Sequence, residues 1–174
     1  MTWTELLKGE LTTTYALTKR LMDIVEDENL DWKPSEENNW MTTGQLMMHL
    51  TNACGATFKG FVTGDWGFPT DEKSEDLPPE EMLPSAEKLP AVKSVAEAKA
   101  LLEDDMKVSF EMLSQCPEER LSTEMVAAPW SPIESILGLY LFQMVEHLKQ
   151  HRYQLFYYLK LQGKPVNTTH LWSL

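Results

Sequence analysis

The sequence predicts an all-α fold, a four-helix bundle with a long crossover between its second and third helices. Three observations carry that expectation. Four Ser/Thr-x-x-Glu/Gln patterns open the helical segments: Thr2…Glu5, Thr42…Gln45, Ser94…Glu97 and Ser131…Glu134. In such a capping box two side chains satisfy backbone N–H groups that a helix start leaves without partners. Each pattern is followed by apolar residues at helical periodicity. Between the second and third segments lies 64–93, rich in Pro and acidic residues, which reads as an extended connection. A link this long need not join antiparallel neighbours, so the bundle is not simply up-down-up-down.

The first helix is expected over 3–28, with Thr14, Leu17, Leu21 and Ile24 along one side. The second is expected over 43–61, with Leu46, His49 or Leu50, Ala53 and Thr57 on one stripe. The third spans 95–115 and stops before Pro117, with Leu102, Met106 and Leu113 inward. The fourth is expected over 132–162, with Pro132 at the first helical position, where its missing N–H costs nothing. Leu137, Leu141, Met144, Leu148, His151, Leu155 and Tyr158 alternate four and three apart, a bundle seam. Gly163 and Pro165 end it. Segment 116–132 reads as a loop with a short extended piece.

The 174 residues form one domain, 1–174, long enough to bury a core. The formal charge is −12, from 27 acidic and 15 basic residues. That disfavours nucleic acid, whose phosphates need clustered Lys and Arg, and equally an anionic membrane surface. The N-terminus lacks the basic and apolar regions of a signal peptide. No apolar run approaches the roughly 18–20 residues that cross a bilayer. The expected location is cytoplasmic, with Cys54 and Cys116 as free thiols.

Four histidines occur, and two of them, His147 and His151, are four apart on the last helix. Residues at that spacing share a face, with Cβ atoms about 5–6 Å apart. His49 lies at a core position of the second helix. A single histidine on an apolar face is ordinarily a satisfied core residue. Two imidazoles reaching one apolar volume are costly unless hydrogen-bonded or ligating. With His49 they would make a three-His metal site with an open position. Leu148 follows His147, so the zinc-protease HExxH pattern is absent. His170 is read as a tail residue. Gln143 and Tyr140 share the stripe before His147 and are pocket candidates, though they also suit ordinary bundle packing. Glu146 reads as solvated surface, and Cys54 should point away from the site. Trp40 and Trp130 precede the His-bearing helices and read as packing at a bundle end or as an apolar pocket wall. GxSxG, phosphate-loop and GxGxxG motifs are absent.

The segments WMTTGQLMMHL and EHLKQHRYQLFYYLKLQGKPV, in this order across a long crossover, resemble the DinB/YfiT-like superfamily of metalloenzymes. The resemblance extends over essentially the whole chain. It implies a four-helix bundle holding a divalent transition metal on His49, His147 and His151, zinc or nickel foremost. It implies a homodimer, and a small-molecule substrate such as a low-molecular-weight thiol. Better-understood relatives include thiol-dependent S-transferases of the bacillithiol or mycothiol type. Such a metal lowers the pKa of a bound thiol or water. A metal-dependent hydrolase, a non-catalytic metal-binding stress-response bundle and a helical interaction protein with structural histidines stand beside that reading.

Overall fold

A computed structural model describes residues 1–67 and 85–172. The long helices are α1 (Trp3–Met22), α4 (Val95–Ser114) and α6 (Leu137–Leu161), and the fourth column of the bundle is α2 (Thr43–Leu50) followed by α3 (Gly55–Thr63). Short elements complete it: 3-10 turns Asp27–Asn29 and Ala86–Lys88, helix α5 (Glu118–Thr123), strands β1 (Met125–Ala127) and β2 (Glu134–Ile136), and a tail helix α7 (Thr169–Trp172). Among the described residues the fold is all-α apart from the two short strands.

Helix directions follow from cross-helix pairs. Trp3 lies against Gly138, Glu10 pairs with Lys149 and Glu26 with Lys164, so α1 and α6 run parallel. Asp23 pairs with Lys99, Lys19 with Glu103, and Tyr15 bonds Asp105, so α4 opposes α1. Gly44 meets Val92 and Gly55 meets Asp105, so the α2–α3 column runs alongside α4 in the same direction. Two parallel neighbours cannot be joined by a tight turn, which is why the chain needs its long connection. Residues 68–84 of that connection, expected to be extended, lie outside the described residues.

The apolar stripes meet in one core. Leu7, Leu11 and Leu21 of α1 are fully buried, as are Leu46, Met47 and Leu50 of α2 and Leu141, Val145, Leu148, Leu155 and Leu159 of α6. No described helix is long and apolar enough to cross a membrane.

Four expectations need correction. Helix α1 ends at Met22, not Glu28. The acidic segment beyond it serves a neighbour: Asp27 Oδ1 accepts from the Val95 N–H at the start of α4 (2.7 Å). The second helix is broken between Leu50 and Gly55. Asp105 of α4 accepts from the Ala56 N–H (3.2 Å) and so caps a new helix start from outside the segment. The last helix begins at Leu137, because 134–136 pairs as a strand with 125–127 in the register Met125↔Ile136 and Ala127↔Glu134. The Ser131…Glu134 box does not form, and Pro132 lies outside the helix. Segment 116–132, read as a loop with a short extended piece, also contains helix α5.

Of the other boxes, Thr2/Glu5 and Thr42/Gln45 close fully. Ser94 accepts from the Glu97 N–H, but the Glu97 carboxylate reaches the Lys93 N–H instead. Gly163 ends α6 at φ +75°, in the left-handed region, and the Lys164 N–H returns to the Leu159 carbonyl (2.9 Å).

Candidate metal centre

Helix α2 brings His49, and α6 brings His147 and His151, to one point between the two columns. The His147 Nε2 lies 3.2 Å from His49 Nε2 and 3.0 Å from His151 Nε2. The three candidate ligand atoms all fall within 4.8 Å of one another. Nitrogens held at about 2.0–2.1 Å by one tetrahedral ion stand about 3.3 Å apart. The spacing therefore matches a shared cation.

Hydrogen bonds behind the rings decide where their protons sit. The His147 Nδ1 is 3.2 Å from the Ala53 carbonyl, which can only accept, so Nδ1 carries the proton. For His151 the argument passes through three residues. The Tyr158 hydroxyl donates to the Met41 carbonyl (3.0 Å), and so accepts from Gln154 Nε2 (3.2 Å). That orients the Gln154 amide with its oxygen toward His151, 3.0 Å from Nδ1, and the ring donates from there. Both rings then present unprotonated Nε2 lone pairs to each other at 3.0 Å. Two lone pairs at that distance repel unless a cation lies between them.

Burial keeps the rings neutral. His49 is pushed down to about 3, by desolvation first and then by the neighbouring His151 and His147. His147 and His151 are lowered as well, chiefly by burial. Neutral imidazoles with free Nε2 atoms are what a transition metal takes, and hydrogen-bonded carbonyl and amide partners at Nδ1 are the usual support for such ligands. The residues present fit a divalent metal.

Beside the rings opens a cavity of about 420 Å³, lined by His49, Asn52, Ala53, Thr57, Trp130, Gln143, Met144, His147 and Gln150. Gln143 is a lining residue, as its position on the stripe suggested. Tyr140 is not: it is buried, stacks on Phe61 at 4.7 Å between centroids and donates to the Ile133 carbonyl. Trp130 forms a wall of the cavity, whereas Trp40 packs 6.5 Å from Tyr158. Glu146 pairs with Lys149 (2.8 Å). Among the described residues His170 bonds within its own turn, at Asn167. Cys54 is fully buried beside Tyr15, Asp105 and Ser109, away from the imidazoles, and burial drives its thiol pKa far up.

Sequence reasoning missed the Ala53 carbonyl, Gln154 and Tyr158. Gln154 was within reach of it, since residues three apart on a helix are neighbours and Gln154 follows His151 at that spacing. The Ala53 carbonyl had no signal, because it depends on a helix break imposed by Asp105.

Fold and site together define a class: helical-bundle proteins with three imidazoles converging between helix columns beside an open cavity. A family model described as the DinB superfamily matches residues 10–155, and the chain belongs to that superfamily. Comparison with curated proteins and with solved structures finds no match.

Proposed function

We propose that this protein is a metal-dependent enzyme of the thiol S-transferase type, holding a divalent transition metal, zinc or nickel, on His49, His147 and His151. The observation that carries the reading is the pair of unprotonated Nε2 atoms 3.0 Å apart on His147 and His151, fixed by Ala53 and Gln154. Such a metal, when bound, lowers the pKa of a thiol or water beside it.

The chain's own residues account for the rest. His49 and His147 face the cavity, so a small molecule held there lies against the site. Trp130 and Met144 offer apolar surface to an electrophile, and Asn52, Gln143 and Gln150 offer amide groups to orient a polar cosubstrate. Among the described residues lining the cavity there is no carboxylate, so ionisation of a thiol or water there would fall to the metal itself.

Elemental mass spectrometry of the purified protein beside His151→Ala tests the site. About one equivalent of transition metal in the wild type and little in the variant supports it. Turnover of a generic electrophile with low-molecular-weight thiols by the metal-loaded protein then tests the reaction. No metal in either protein after loading with zinc or nickel overturns the reading.

A further inference from the structure

Asp105 of α4 is a carboxylate only 7% exposed, and among the described residues no Lys, Arg or His pairs with it. A buried charge without a counter-charge is costly. Its partners are neutral donors. The Tyr15 hydroxyl donates to Oδ2 (2.6 Å), the Ala56 N–H donates to Oδ1 (3.2 Å), and the N–H groups of Gly55 and Cys54 also bond the carboxylate. Gly55 makes that close approach possible, since a Cβ there would stand 2.6 Å from Oδ1. The Cys54 N–H belongs to the same peptide unit as the Ala53 carbonyl, and that carbonyl accepts from His147 Nδ1 (3.2 Å). A carboxylate from one helix and an imidazole from another therefore meet the two ends of a single amide.

We propose that Asp105 is a positioning residue of the metal centre, its anionic carboxylate acting on His147 through the Ala53–Cys54 peptide unit and balancing the charge of a cation held on the three imidazoles. Histidine ligands commonly donate their second N–H to a carboxylate or a carbonyl. Here an amide is interposed between the two. Hydrogen bonds in a chain polarise one another, so an anion on the N–H side makes the Ala53 carbonyl a stronger acceptor and the His147 Nε2 a stronger ligand. A positive charge on the imidazoles is also the counter-charge that the rest of the fold does not give Asp105. The inference rests on the metal reading above and not on the reaction. It makes metal affinity depend on the ionisation of a group outside the ligand set, and by reciprocity metal favours that ionisation. The other titratable groups facing the carboxylate are Tyr15 from α1 and Cys54 at the start of α3, and burial drives both far up, so both stay neutral. Burial raises Asp105 itself to about 6, against the lowering by Tyr15 and the three N–H groups. Its help to the metal is therefore present above 6 and lost as pH falls below it.

Zinc affinity of the wild type and of Asp105→Asn, measured by chelator competition from about pH 7.5 down to about pH 5.5, tests it. Asparagine keeps the shape and an acceptor oxygen and removes the charge. Imidazole protonation weakens zinc in both proteins alike, so the ratio of their affinities isolates Asp105. The wild type is expected to bind about tenfold more tightly at the upper pH, and the ratio should close towards one at the lower. A purely structural role would give a ratio that does not change with pH, and that result overturns the proposal, as does equal affinity throughout. Tyr15→Phe keeps the test open if Asp105→Asn does not fold. It removes one donor from the same carboxylate, so the fall in zinc affinity attributed to Asp105 should move to higher pH, and an unmoved profile overturns the proposal. Zinc binding by neither protein at any pH is a different result, and it removes the metal reading together with the inference.

Discussion

The His147 ring donates from Nδ1 to the backbone carbonyl of Ala53, 3.2 Å away, and that carbonyl is available only because the second helix column breaks there. Ala53 lies just before Cys54, the N-cap of α3, so its oxygen stays outside the α3 ladder. Asp105 holds the break open by accepting from the Ala56 N–H, while Tyr15 donates to its other oxygen (2.6 Å). A carboxylate on α4 therefore helps set the tautomer of an imidazole on α6.

That linkage predicts the behaviour of Asp105→Ala. Losing a helix cap and leaving buried donors unmatched should cost about 2 kcal/mol in chemical unfolding. Metal affinity should fall as well, because the Ala53 carbonyl is then free to shift. Unchanged affinity in a folded variant would break the proposed linkage. Gly55→Ala should be worse, since a Cβ there would stand 2.3 Å from the Asp105 carbonyl oxygen.

Gln154→Leu removes the acceptor that orients His151 and leaves the Tyr158 hydroxyl without its donor. Metal affinity is expected to drop about 10–100-fold, in keeping with loss of a supporting partner behind a histidine ligand. Competition with a chelator of known affinity measures it. A parallel loss of helical circular dichroism would instead mean that the variant had unfolded.

Metal should stabilise the fold by mass action. Zinc or nickel at 100 times the dissociation constant adds about 2.7 kcal/mol if the unfolded chain does not bind it. The melting temperature should rise on loading, return with chelator, and stay flat in His147→Ala.

Without metal, the acid response contains two opposed contributions. His49 is lowered from 6.5 to about 3 in the folded protein, so the unfolded chain takes up the proton first. Stability should therefore fall as pH drops from 6.5 toward 3. Asp105 is raised from 3.8 to about 6, chiefly by burial, so here the folded protein keeps the proton longer. Its contribution is fully present below 3.8 and is lost as pH rises through 6. Urea midpoints against pH should thus steepen on the acid side in Asp105→Asn and flatten in His49→Gln.

Both cysteines are buried, and burial raises both thiols. The native protein should react slowly with a disulfide reagent and both sites should open on unfolding. On the proposed thiol-dependent reading the reacting thiol is external, so turnover should survive Cys54→Ala. Loss of activity with metal content unchanged would assign Cys54 a part in the reaction.

The sequence by itself determined the helical class, the inward stripes and the residues that converge. Capping pairs and apolar periodicity are local, and so are two histidines one turn apart on a helix. Thr2/Glu5 and Thr42/Gln45 close as their spacing implies, and His49, His147 and His151 meet. What only the tertiary structure decided involves partners distant along the chain. Asp27 goes to the start of α4, Asp105 caps α3 from another helix, and β1 takes 134–136 out of the last helix. The physical reason is common to all three. A backbone N–H that a helix start leaves without a partner, or that a longer local helix would use, can be satisfied by a remote carboxylate or strand once the chain packs. Local propensity carries no record of that partner. The Ala53 carbonyl beneath His147 is the consequence that matters most for the site.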